Sequence, residues 1–165
     1  MLAVHPGDFK QLYGDAVSLS RTFKHSGTAY CNRARAIVPV RVGALLFAGF
    51  PCTDVSRINN LASSSDNKDI ILAKAGNTGS CFWAIIVMLD SAPDTLVCIL
   101  ENVPGLRDYG RLNQCRAALK LINFILVDFD LNPLQFEIPH DRPRVWMIAF
   151  RVSALAISAG DVRDS

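Results

Sequence analysis

The sequence predicts one α/β domain built on a sheet, and three observations predict it. Two continuous apolar runs, residues 43–47 and 96–100, are bounded by turn residues in the manner of buried strands. Residues 79–91 and 111–123 repeat their apolar side chains at helical spacing. Two further strand-like runs, residues 124–129 and 144–150, complete the order strand, loop, helix, strand, helix, strand, strand. That order describes an α/β sheet with a mixed C-terminal edge.

Each element follows from a local pattern. Residues 1–41 are the least defined. Pro6-Gly7-Asp8 reads as a turn, a short helix fits residues 9–13, and residues 12–17 can form a short strand ending in a loop carboxylate. Residues 20–36 carry Arg21, Lys24, His25, Arg33 and Arg35 and are expected to be an irregular polar excursion. Val38-Pro39-Val40 argues against helix there. Residues 43–47 are expected to be a strand covered on both faces. Residues 53–78, with Asn59-Asn60, Ser63-Ser64-Ser65 and Gly76-Asn77, read as a long loop.

In the first predicted helix, Phe82, Ile85, Ile86 and Leu89 recur at i, i+3, i+4 and i+7, and Pro93-Asp94 ends it. The strand at 96–100 leads into Glu101-Asn102-Val103-Pro104-Gly105. Leu112, Cys115, Leu119 and Ile122 form the stripe of the second helix. Residues 151–165 are small and weakly patterned and are expected to fray.

Composition sets the outer bounds. With 165 residues the chain can build one domain with a real core, and is too short for two comfortable ones. Half of the residues are hydrophobic and 19% are charged, which excludes a disordered chain. The net charge of +2 is compatible with a nucleic-acid partner without pointing to one. Cys31, Cys52, Cys81, Cys98 and Cys115 are odd in number, and none stand at C-x-x-C spacing. Neither a disulfide framework nor a metal site is expected, and a reducing compartment suits the chain best. The longest apolar candidate for a membrane span, from Ile37, is broken by Arg41, and no signal-peptide pattern opens the sequence.

The stretch that carries chemistry is residues 45–56. Its apolar run stops at Gly49, and Phe50-Pro51-Cys52 follows at once, before a polar loop. A buried strand delivers a reactive side chain to a sheet edge in this way. Ligands gather beyond the carboxyl ends of strands in such sheets. Cys52 and Glu101 are both expected just beyond strand ends, so they can share a crevice. Taken alone, Cys52 reads more readily as a small buried hydrophobe than as a nucleophile.

Phe50-Pro51-Cys52-Thr53-Asp54-Val55-Ser56 resembles the nucleophile loop of the cytosine-C5 methyltransferases. Glu101-Asn102-Val103 resembles their Glu-Asn-Val motif. Ile138-Pro139-His140-Asp141-Arg142-Pro143-Arg144 resembles their Gln-x-Arg-x-Arg motif, with His140 in place of glutamine. Thr78-Gly79, opening a helix before the Glu-Asn-Val strand, also matches. The three motifs occur in the family's order, and the resemblance covers about residues 42–150, read as a partial catalytic core. It implies a Rossmann-like S-adenosylmethionine-dependent methyltransferase fold, incomplete at both ends.

The implied reaction explains the residue types. Cytosine C5 is too weak a nucleophile to take a methyl group unaided. A thiolate adding at C6 makes C5 enamine-like, the role implied for Cys52. A carboxylic acid against N3 relieves the charge this puts on the ring, the role implied for Glu101. Arginine fixes the exocyclic oxygen, the role implied for Arg144, with Arg142 supporting the site or a phosphate. The implied cofactor is S-adenosyl-L-methionine, with Phe50, Pro51 and Asp15 as its contacts, although Asp15 reads more readily as a turn residue than as a ligand. Ser56, Asn102, Val103 and His140 are the implied loop and substrate-side positions. The implied partner is DNA, its cytosine flipped from the duplex, and the long loop after Cys52 can close over it.

The resemblance also has gaps. No glycine-rich cofactor loop precedes the Pro-Cys pair, and no recognition domain follows residue 150. A truncated and weakly active or inactive fragment is therefore expected. Two alternatives stay open: methylation of RNA, and a non-catalytic relative that binds or regulates an active methyltransferase. No membrane association is expected. An intracellular location is, in the nucleus of a eukaryote or the cytoplasm otherwise.

Overall fold

The computed structural model describes residues 16–32, 34–40, 43–56 and 68–155. Helix α1 (Ala16–Ser26) leads into an antiparallel hairpin of β1 (Thr28–Cys31) and β2 (Ala36–Pro39). Ser20 and Phe23 are buried, while Arg21, Lys24 and His25 face solvent. Gly27 ends the helix in the left-handed region at φ +65°, its N–H donating to Phe23 O at 2.8 Å. The irregular excursion expected over residues 20–36 is thus a helix and a hairpin. Arg21, Lys24 and His25 are the wet side of an amphipathic helix, which a reading by charge mistakes for a loop. The strand expected over residues 12–17 is helical at Ala16 and Val17. Its remainder, and the turn and helix expected before it, lie outside the described residues.

The main sheet contains β3 (Leu45–Gly49), β4 (Val97–Asn102), β5 (Phe124–Leu131) and β6 (Arg144–Arg151) in the order β3-β4-β6-β5. β3 and β4 are parallel; β6 is antiparallel to both β4 and β5. The mixed α/β sheet is therefore as the sequence predicts. Between β3 and β4 lies α2 (Gly76–Asp90), and between β4 and β5 lies α3 (Arg111–Leu121). Both helices bury most of the predicted stripes: Phe82, Ile85, Ile86 and Leu89 on α2, and Leu112, Cys115 and Leu119 on α3, while Ile122 is the C-cap of α3 and only partly buried. These meet Cys98 and Leu100 of β4, Leu126 of β5, and Val145, Met147 and Ala149 of β6 in one core.

Helix α2 starts earlier than the predicted residue 79, because turns over residues 68–74 feed straight into it. The Trp83 indole N–H donates to Ile71 O and fastens that turn to the helix. Gly79 makes the contact possible, since a Cβ there would lie 2.2 Å from Ile70 O. Of the long loop predicted over residues 53–78, residues 57–67 are outside the described residues.

Two expectations about the strands are corrected. β3 is not covered on both faces. Among the described residues it is an edge strand, and its alternate residues Leu45 and Phe47 are exposed, Phe47 by 59%. The face turned away from α2 and α3 also leaves Ile125, Val127 and Phe129 exposed. An unbroken apolar run does not distinguish burial on two faces from burial on one. Glu101, in turn, lies within β4 and not beyond it, because pairing with β6 continues through Asn102.

Among the described residues no helix is long and apolar enough to cross a membrane, and no group of three or more His, Cys, Asp or Glu is placed to hold a metal. No disulfide joins the five cysteines.

Candidate active site

The candidate site forms where β3 and β4 finish together and β6 begins. Gly49 is in register with Glu101, and Glu101 with Trp146 across the antiparallel pair. Strand alternation then divides the last residues of β4 between two faces. Asn102 turns to the helix side, where it is 1% exposed, and Glu101 turns to the opposite face. Arg144 Nε donates to Glu101 Oε1 at 2.6 Å, with the two side chains 22% and 28% exposed respectively.

Glu101, Arg142 and Arg144 line a pocket of about 460 Å³. Phe47, Leu131, Pro133, Phe136, Ile138 and Trp146 supply its apolar walls. The rings of Phe47 and Trp146 lie 6.0 Å apart at the base of this wall. A pocket with apolar walls and a few convergent polar groups is the usual form of a small-ligand site. The β5–β6 connection forms one side of it. There Asn132 caps the turn at Pro133–Phe136, donates to Asp141 Oδ1 at 2.8 Å and accepts from Arg142 N–H at 3.2 Å. His140 is exposed on this connection and does not line the pocket.

The Cys52 loop leaves the same corner on the other side of β4. The Phe50 ring is buried, 5.5 Å from the Phe82 ring between centroids. Its carbonyl accepts from Asn102 Nδ2 at 3.1 Å, and Asn102 Oδ1 accepts from Val103 N–H at 2.9 Å. Pro51 is exposed. Cys52 is half-buried and packs against the edge of the core, and its carbonyl accepts from Val55 N–H and Ser56 N–H at 3.1 and 2.8 Å. Elsewhere in the core, burial pushes the thiols of Cys98 and Cys115 up to about 12.

The structure thus gathers the predicted residues into two groups. Glu101, Arg142 and Arg144 share the pocket. Phe50, Asn102 and Val103 hold the root of the Cys52 loop, with Ser56 closing its turn. Adjacent residues of β4 join the groups, but Cys52 is not among the pocket-lining residues. Asp15 lies outside the described residues.

Sequence reasoning missed two features. One is the apolar wall of Phe47, Phe136, Ile138 and Trp146, which strands distant in sequence assemble. The local signal was the alternation of Phe136 and Ile138 with Gln135 and Glu137. The other is a bond pair between Asp54 and Thr78, separated by 24 residues.

No curated protein sequence matches the chain. Among solved structures, a triple mutant of Spodoptera frugiperda DNMT2 is similar, at 24% identity and TM-score 0.48 over 74% of this chain and 33% of that one. Schizosaccharomyces pombe Dnmt2 methyltransferase is 20% identical with TM-score 0.48, over 91% of this chain and 43% of that one. Entamoeba histolytica methyltransferase EhMeth is 13% identical with TM-score 0.46, over 88% and 44%. The chain therefore spans less than half the length of each of these structures. The family model for C-5 cytosine-specific DNA methylases matches residues 39–161. Because that match runs from the last residue of β2 through all four strands of the main sheet, the chain belongs to the C-5 cytosine-specific DNA methylase family.

Proposed function

We propose that this protein methylates C5 of cytosine in DNA through a covalent bond between the Cys52 sulfur and C6 of the base. The observation that carries the reading is the Glu101–Arg144 pair in the wall of an apolar pocket, at the strand end from which the Cys52 loop departs.

Each group has a task in that reaction. The Cys52 thiolate adds to C6, and the C5–C6 π electrons become available at C5. Glu101 offers a proton to N3, so that the ring carries no net charge as the sulfur adds. Arg144 holds the exocyclic O2 and so fixes the ring against the carboxyl group. The apolar walls accept the flat faces of a base taken out of its stack, which displaces water as it enters. After methyl transfer a solvent base takes the C5 proton, the C5–C6 double bond reforms as the sulfur departs as thiolate, and the N3 proton returns to Glu101.

Family membership implies S-adenosylmethionine, which supplies an electrophilic methyl group when bound. The described residues fit it in part. Pro51 is exposed beside Cys52 and suits a contact, whereas the Phe50 ring is turned into the core and does not.

The test is methyl transfer from labelled S-adenosylmethionine to a cytosine-containing duplex, in competition with structured RNA. Label at C5 of duplex cytosine, lost in Cys52→Ser, is the expected result. Label confined to RNA would move the substrate, and label unaffected by Cys52→Ser would remove the nucleophile.

A further inference from the structure

Cys52 sits between two anchors. Before it, Asn102 Nδ2 donates to Phe50 O at 3.1 Å. After it, Thr78 N–H donates to Asp54 Oδ2 at 2.8 Å, and Asp54 N–H donates to Thr78 Oγ1 at 3.3 Å. This second anchor is reciprocal and spans 24 residues of chain. It clamps the near end of the segment leading away from Cys52 to the first turn of α2, where that segment returns.

Several features are built around this clamp. Helix α2 has no side-chain cap from its own N-cap residue, Ala75. The Asp54 carboxylate caps it from a distance, taking one of the N–H groups that the first turn leaves unpaired. A negative group is also favourable at that end of the helix dipole. Thr78 is fully buried. Gly76, at φ +60°, leaves the carboxylate its space, since a Cβ there would lie 2.6 Å from Asp54 Oδ2.

We infer that Asp54 is a positioning residue for Cys52, holding the nucleophile loop against the N-terminus of α2. The inference rests on the reading of Cys52 as the nucleophile. Thiol addition needs the sulfur over one face of the base, and a displacement near 1 Å costs about 100-fold in rate. Asn102 holds only the approach to Cys52; beyond it, Val55 is buried in the core and Asp54 ties the loop to α2. With Asp54 on Thr78, the chain is bonded on both sides of Cys52.

The test is the single-turnover rate of covalent adduct formation with a 5-fluorocytosine duplex, together with kcat and KM for methyl transfer. Asp54→Ala is expected to slow adduct formation by about 10-fold to 100-fold, with kcat falling and the KM for the methyl donor unchanged. Asp54→Asn, which keeps a carbonyl acceptor for Thr78 N–H, restores most of the rate. Circular dichroism and urea unfolding report whether Asp54→Ala folds. If it does not, Thr78→Val, which removes only the hydroxyl acceptor, decides by its own fall or constancy of rate. An unchanged rate in the folded variant, or a loss that Asp54→Asn fails to restore, overturns the inference. Activity that survives Cys52→Ser overturns instead the reading on which it rests.

Discussion

Glu101 and Arg144 come from neighbouring antiparallel strands, and Arg144 Nε donates to Glu101 Oε1 at 2.6 Å. Both groups are partly exposed, so the pair contributes little to folding, about 0–1 kcal/mol. A weak pair is one that an entering base can open, with the carboxyl group passing to N3 and the guanidinium to O2. Glu101→Gln should therefore lower methyl transfer by about 100-fold to 10,000-fold while moving the urea midpoint little. Parallel kinetics and urea titration check this. A large stability loss with activity per folded molecule intact would assign Glu101 to structure.

Asn102 has the opposite character. It is 1% exposed, and both ends of its amide are bonded, to Phe50 O and to Val103 N–H. Asn102→Ala leaves buried backbone groups without partners and should cost about 1–3 kcal/mol. Urea unfolding measures it.

Acid stability should depend on Asp128. Burial works to raise its carboxyl group, but hydrogen bonds and charge from Arg107 and Arg116 outweigh this and hold it below the ordinary 3.8. A carboxylate depressed on folding stabilises the native state fully above its unfolded value. That contribution is lost as pH falls through the folded value. Stability should therefore fall below about pH 4, and Asp128→Asn should flatten this limb of the unfolding profile while lowering stability at neutral pH.

The thiols should divide by burial. At pH 8 and in the folded state, iodoacetamide should label Cys52 and Cys81, which are half-buried, before Cys98 and Cys115, which are fully buried with thiols pushed up to about 12. Mass spectrometry of the digest reads the order, and labelling of Cys98 without unfolding would contradict it.

Where the sequence was legible, the cause was local. The stripes of α2 and α3 announce themselves because each helix buries one face against the sheet. Arg144 could be placed at the start of its strand, and Glu101 to within two residues of the end of its own, because both strands are continuous apolar runs. Helix α1 was hidden, since its exposed cations outweigh the small buried face of Ser20 and Phe23. The exposure of β3 was hidden as well, because Leu45 and Phe47 look like core residues in any linear reading. The Asp54–Thr78 bonds and the Phe47–Trp146 wall join residues far apart in sequence, and no local pattern encodes them.

The central claim is that Cys52 bonds to C6 of cytosine. Its most direct test is to incubate the protein with S-adenosylmethionine and a duplex carrying 5-fluorocytosine. The C5 fluorine cannot leave as a proton does, so the last elimination stalls and the adduct persists. The account predicts a complex that survives denaturing electrophoresis, with the nucleotide mapped by peptide mass to Cys52. Attachment at Cys81, or no covalent complex under conditions in which unmodified cytosine is methylated, would contradict it.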